Sequence, residues 1–223
     1  MPVTTFEKLG LRAVIFDMDG LLFETEALYL KAWPEVGAAM GFTITQEIAM
    51  QTLSRQLKDC EAIFQAHYGP EFSIDAVRPV MQAWFLAEIE KNGLPLRPGA
   101  REIVELIHER GIPFALGTAN RTDVAQYYLK VTGLAEYFNT IVTLDMVEHA
   151  KPAPDVFLQA AERMGVLPAQ CLVLEDSPIG LQAAYAAGCL PVLVPDLLTP
   201  DEATIAKAWR VFDNLKQVAE VLF

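Results

Sequence analysis

Two aspartates two residues apart, Asp17 and Asp19, followed at once by Gly20, stand directly after the apolar run Ala13-Val14-Ile15-Phe16. Crowding two carboxylates raises the pKa of each unless a cation neutralises them. A run such as 13–16 reads as a strand buried on both faces of a parallel sheet. The carboxyl end of such a strand is where open α/β sheets place their ligands. Asp17 therefore reads as a metal ligand or a nucleophile, and Asp19 as its partner. Asp and Gly also make ordinary turns, so the pair takes its meaning from what the other strand ends carry.

Three further strand ends carry polar groups. A strand at 112–117 delivers Thr118-Ala119-Asn120-Arg121, the segment after a strand at 140–143 reaches Lys151-Pro152, and a strand at 171–174 delivers Glu175-Asp176-Ser177. In a parallel sheet all these ends share one edge. Glu175 and Asp176 add carboxylates to the first pair, and several hard oxygens with open water positions suit Mg²⁺. Thr118 offers a hydroxyl and nearby N–H groups to a phosphoryl oxygen, and Lys151 supplies positive charge to a nucleophile and a transferring group. Asp17 could attack phosphorus to form an aspartyl-phosphate, with Asp19 protonating the leaving oxygen and then activating water. Taken singly, each has a plainer use: Thr118 as a helix cap, Lys151 as a solvated lysine, Glu175 and Asp176 as acids at a helix N-terminus. Their order along four strand ends favours the joint reading.

The elements that must position these groups alternate strand and helix from Arg97 onward. Helices are expected at 100–110, 122–132, 154–164 and 178–187, each followed within a residue or so by Gly111, Gly133, Gly165 or Gly188, as helix C-termini favour. A last strand is expected at 190–194. This alternation predicts an α/β fold, a doubly wound, Rossmann-like parallel sheet with helices on both faces. Residues 25–95 break the pattern: helices are expected at Ala27–Met40, around Thr45–Leu57, at Cys60–Tyr68 and at Ile74–Lys91, with no strand. The predicted organisation is a core of residues 1–24 and 96–223 with a small helical insertion of residues 25–95. An insertion after the first strand is placed to act as a lid.

The chain has 223 residues, 52% of them hydrophobic, and a formal net charge of −12, with a pI near 4.7. That balance argues against nucleic acid and anionic membrane as partners. No stretch approaches the roughly 18 apolar residues of a membrane span, and no basic segment followed by an apolar run suggests a signal peptide. Three cysteines, Cys60, Cys171 and Cys189, lack metal-type spacing and fit small core residues in a reducing, cytoplasmic setting. A monomer is the default expectation.

The four strand-end elements resemble the haloacid dehalogenase superfamily. The matching residues are Phe16-Asp17-Met18-Asp19-Gly20, Thr118, Lys151-Pro152 and Glu175-Asp176-Ser177-Pro178-Ile179-Gly180. Residues 17–26 and 151–157 are similar to the branch holding β-phosphoglucomutase and small sugar-phosphate or nucleotide phosphatases. Residues 111–116 and 171–176 resemble pseudouridine-5′-phosphatase-like members. The resemblance implies a HAD-like core with a cap, Asp17 as nucleophile and Asp19 as acid/base. It implies Mg²⁺ held by the Asp17 carboxylate, the Asp19 carbonyl and the Asp176 carboxylate, with Glu175 close by. Thr118, Ala119 and Asn120 would line the phosphate site, and Arg55 falls where relatives often carry a substrate-facing arginine. The implied substrate is a small phosphorylated metabolite: a sugar phosphate, phosphoglycolate or a nucleoside monophosphate.

Three positions depart from the pattern. Glu24 stands where many relatives have Asp, Ser54 where a cap glycine precedes the arginine, and Tyr29 where the mutases carry histidine. Tyrosine is a poor proton relay near neutral pH, which favours hydrolysis over phosphoryl-transfer mutase chemistry, the first alternative. Asp19 argues against dehalogenation, whose halide leaves without a proton. A receiver-like signalling module and an idle binding protein are further alternatives. A receiver has no helical insertion and spreads its acidic groups over different strands, and an idle protein has no need of intact Asp17, Asp19, Lys151 and Asp176. His67, His108 and His149 are scattered and are assigned no metal. Trp33, Trp84 and Phe85 are expected to pack the insertion's helices. Phe212-Asp213-Asn214 resembles a strand end followed by a helix cap.

Overall fold

Leu11 to Leu22 is an almost unbroken apolar stretch interrupted by Arg12, Asp17, Asp19 and Gly20, and the fold is organised around it. In the computed structural model, which describes residues 3–53, 55 and 57–223, a short helix α1 (Thr5–Lys8) leads into strand β1 (Ala13–Phe16). All four β1 residues have no exposed surface, as a central strand covered on both faces requires.

The chain divides into two compact units, Met1–Glu24 with Pro95–Phe223, and Thr25–Leu94. The second is helical: α2 (Thr25–Ala39), α3 (Gln46–Met50), α4 (Leu57–Tyr68) and α5 (Ile74–Asn92). Aromatic rings hold it together. Trp33 lies 4.4 Å from Phe64, Phe64 stacks 4.6 Å from Phe72, and Tyr29 meets Phe85 at 4.5 Å. The Trp84 indole donates to Glu35 at 2.7 Å. The helix expected around 45–57 is shorter. Thr45 caps α3 through its side chain, but the helix stops at Met50. Ser54, the position that departs from the glycine of relatives, lies outside the described residues.

The first unit continues with α6 (Ala100–Glu109), β2 (Phe114–Gly117), α7 (Thr122–Val131), β3 (Ile141–Val142), α8 (Asp155–Met164), β4 (Cys171–Glu175), α9 (Pro178–Ala186), β5 (Leu190–Leu193), α10 (Glu202–Ile205), β6 (Arg210–Val211) and α11 (Leu215–Leu222). The six strands form one parallel sheet in the order β3-β2-β1-β4-β5-β6. The helices bury one stripe each, as Ala100, Ile103, Val104 and Ile107 show on α6. Strand order reverses at β1: the chain runs from β1 outward to β2 and β3, then returns to place β4 on the other side of β1. The crevice at such a switch point is the usual ligand site of an open α/β sheet.

The expected strand at 112–117 begins only at Phe114, because Pro113 has no N–H to give the ladder. Its carbonyl still accepts from Val14 N–H at 3.0 Å. The strand expected at 140–143 is the two-residue β3. Helix α11 follows Asn214, whose side chain accepts from Gln217 N–H. Among the described residues, no helix is long and apolar enough to cross a membrane.

Candidate active site

The β-ladder carries Asp17 to the sheet edge: its N–H donates to the Leu174 carbonyl at 3.0 Å, one step beyond Phe16 paired with Leu174. Across that pair β4 ends in Glu175 and is followed by Asp176. The loop between β3 and α8 returns Lys151 to the same place, 134 positions from Asp17. Lys151 is 6% exposed, and its Nζ donates to Asp17 Oδ1 at 2.5 Å, Glu175 Oε1 at 2.6 Å and the Gly117 carbonyl at 2.9 Å. These three acceptors match the three hydrogens of an ammonium. The same Nζ lies 4.6 Å from the centre of the buried Phe157 ring, a favourable cation–π placement.

Burial pushes the Asp17 carboxyl up, to about 8, with the Glu175 charge adding to it and Lys151 opposing both. Burial alone would pull the Lys151 ammonium down, but the Asp17 and Glu175 charges override it and hold it protonated well above the usual lysine range. The local balance is nonetheless acidic. Asp17, Glu175 and Asp176 can each aim one oxygen so that the three lie within 4.8 Å of one another, and Asp19 is close by in sequence. Four carboxylates against one ammonium form an all-oxygen donor set suited to a hard divalent cation. Gly20 leaves Asp176 its room: with φ at +77°, a Cβ there would stand 2.2 Å from Asp176 Oδ2.

Asp19 is tied to the end of β2, where Asn120 Nδ2 donates to its Oδ2 at 3.3 Å. Thr118 is buried, and its Oγ1 accepts from Asn120 N–H at 3.0 Å. It does not cap α7. That helix is capped from a distance, by Asp145 accepting from Thr122 N–H at 2.9 Å and from its hydroxyl. Hydrogen bonds from Thr143 and Thr122 hold the Asp145 carboxyl down at about 2. Ala119 is exposed beside Thr118. Arg55 belongs to the helical unit, is exposed, and donates from Nε to the Gln51 carbonyl at 2.6 Å.

Several contributors were not singled out by residue type. The Gly117 carbonyl and the Phe157 ring hold Lys151 without any chemical signature in the sequence. Ser177 accepts from Gly180 N–H at 3.0 Å as N-cap of α9 and gives its hydroxyl to Glu175 Oε2 at 3.1 Å; a serine before a proline at a helix start is a readable signal for the cap, though not for its second contact. His149 turns out to brace the lysine loop, through ring and backbone nitrogens 3.1 and 3.0 Å from Asp155 Oδ2. Cys171 and Cys189 are buried as expected.

The chain is 39% identical over 180 residues to fructose-1-phosphate phosphatase YqaB of Escherichia coli (strain K12), covering 78% of this chain and 92% of that protein. It is 35% identical over 198 residues to a Drosophila melanogaster protein named "Probable pseudouridine-5'-phosphatase", covering 85% and 84%. The fold matches the crystal structure of CbbY from Rhodobacter sphaeroides in complex with phosphate, with a TM-score of 0.78, 28% identity, and coverage of 93% of this chain and 96% of that one. A family model described as haloacid dehalogenase-like hydrolase matches residues 11–188. With that match over most of its length, the chain belongs to the haloacid dehalogenase-like hydrolases.

Proposed function

We propose that the protein is a Mg²⁺-dependent phosphatase that hydrolyses a small phosphomonoester, a sugar phosphate or nucleotide-type metabolite, through an aspartyl-phosphate on Asp17. The observation that carries this reading is the buried Lys151 ammonium placed 2.5 Å from Asp17 Oδ1. It favours the ionised carboxylate and leaves that group with its other oxygen to attack. The names of the relatives, a fructose-1-phosphate phosphatase and a pseudouridine phosphatase, support the substrate class.

Asp17 attacks phosphorus, and the bond from phosphorus to the leaving alcohol breaks. Asp19, protonated, gives its proton to that alcohol oxygen. Asp19, now a carboxylate, takes a proton from water. The water oxygen attacks phosphorus, the bond to Asp17 breaks, and phosphate departs with Asp17 regenerated. Asn120 orients Asp19 through its side-chain hydrogen bond, and Thr118, Ala119 and Asn120 line the phosphoryl oxygens. Lys151 offsets negative charge on the nucleophile and the transferring group. The Asp17 carboxylate, the Asp19 carbonyl and the Asp176 carboxylate would hold Mg²⁺, with Glu175 close by; when bound, the ion supplies positive charge to the phosphoryl oxygens.

The test is phosphate release from a panel of phosphometabolites with Mg²⁺, comparing the natural protein with Asp17→Asn. Release from one or a few compounds, reduced by about 10⁴-fold or more in the variant, is expected. Release that survives the substitution removes Asp17 as nucleophile, and release that survives thorough chelation removes the metal.

A further inference from the structure

The Glu175 carboxylate occupies space that only a glycine leaves open. Gly180 is the third residue of α9, and a Cβ there would lie 1.9 Å from Glu175 Oε1, 2.0 Å from its carboxyl carbon and 2.1 Å from Oε2. Any side chain at 180 would therefore displace the carboxylate, which is the movable end of its side chain. Yet that carboxylate has nowhere equivalent to go. It has no exposed surface, its Oε1 accepts from Lys151 at 2.6 Å and its Oε2 accepts from Ser177 Oγ at 3.1 Å.

Conformation does not explain the glycine. Gly20 has a positive φ, so a residue there would be strained in any case, but Gly180 sits in ordinary helical backbone. Alanine would favour such a helix over glycine. The glycine goes against local helix propensity, and what it provides is the slot.

We propose that Gly180 is a positioning residue: its missing side chain seats Glu175, and Glu175 seats Lys151 against Asp17. Glu175 then belongs with Lys151 first and with the cation second. This rests on the reading of Asp17 and Lys151 as the phosphoryl-transfer pair.

The experiment is a double-mutant cycle of Gly180→Ala with Glu175→Asp, which withdraws the carboxylate by one methylene. All four proteins are assayed for kcat and KM and unfolded in urea. Gly180→Ala is expected to lower kcat by about tenfold or more with KM changed less than about threefold. In the Glu175→Asp background the same change should cost less than about threefold, since the clash is gone. Equal cost in both backgrounds, or no cost in either, overturns the proposal while leaving the phosphatase reading intact. If the natural protein releases no phosphate, that reading fails, and the cycle is then decided by unfolding: coupling between 175 and 180 supports the slot and additivity overturns it. If Gly180→Ala does not fold, the double variant should fold, and its failure to do so also overturns the proposal.

Discussion

The strand-end site and the helical unit of residues 25–94 are held together in opposite ways. At the sheet edge, one ammonium is fixed by acceptors drawn from three separate segments, ending at Asp17, Gly117 and Glu175. In the helical unit, Trp33, Phe64, Phe72 and Tyr68 interlock through ring contacts. Its polar pairings, such as Lys31 with Glu88, lie nearer the surface. Directional contacts in a dry place cannot be exchanged for others, whereas packed rings tolerate volume-conserving change. The first region should thus register substitutions in rate and the second in stability.

The largest test of that contrast is Lys151→Met, which keeps the bulk and removes the charge. We expect kcat to fall about 10²–10³-fold. Urea unfolding should show a loss of stability, because the buried Asp17 and Glu175 carboxyls and the Gly117 carbonyl lose the donor they share. Activity within about tenfold of the natural protein would mean the sheet edge is no more exacting than the helices.

Phe64→Ala should do the reverse. Phe64 has no exposed surface, and its truncation should cost about 3–5 kcal/mol in unfolding while the folded fraction keeps its kcat. A fall in kcat at unchanged Tm would assign chemistry to the helical unit and break the comparison.

A smaller effect should come from Mg²⁺ and pH together. The Asp17 carboxyl is pushed up to about 8 in the folded chain from an ordinary value of 3.8, so the folded state binds its proton more tightly than the unfolded one. The stability this contributes is complete below the ordinary value and is lost as pH rises through about 8. Mg²⁺ should therefore raise Tm more near pH 8 than near about pH 5.5, where it competes with that proton. Asp17→Asn should flatten the difference; a shift equal at both pH values would place the ion elsewhere.

The smallest expected effect is at Arg55. If it serves substrate recognition, Arg55→Ala raises KM by about tenfold with kcat within about threefold. An unchanged KM removes it from the site.

What could be read in advance follows the same division. Strands β1 and β4 are continuous apolar runs because both their faces are covered, and each ends in acids whose cost in a dry crevice marks them out. Strand β6 gave a weaker signal: Arg210 and Val211 are both exposed at the sheet edge, so neither a run nor an alternation marks them, and only Phe212-Asp213-Asn214 points to a strand end there. The cap of α7 was silent, since Asp145 reaches Thr122 across 23 positions. Sequence proximity suggested grouping Glu175 with the cation ligands, and the geometry first gives it Lys151 and Ser177. Its dependence on Gly180 is a matter of empty volume, which no residue type announces. In the helical unit the aromatic residues predicted packing well and recognition not at all, because a ring that fills a core and a ring that meets a substrate have the same letter.

Asp17 and Lys151 lie 134 positions apart, with the whole helical unit and two helix-strand steps between them. A chain emerging from the ribosome at about 5–20 residues per second exposes its nucleophile long before it has made the lysine, and the lysine before Glu175. No amino-terminal fragment shorter than about the first three-quarters of the protein holds a complete set of charges. Turnover in this molecule is thus also a report that synthesis has passed β4 and that the sheet has closed on both sides of β1.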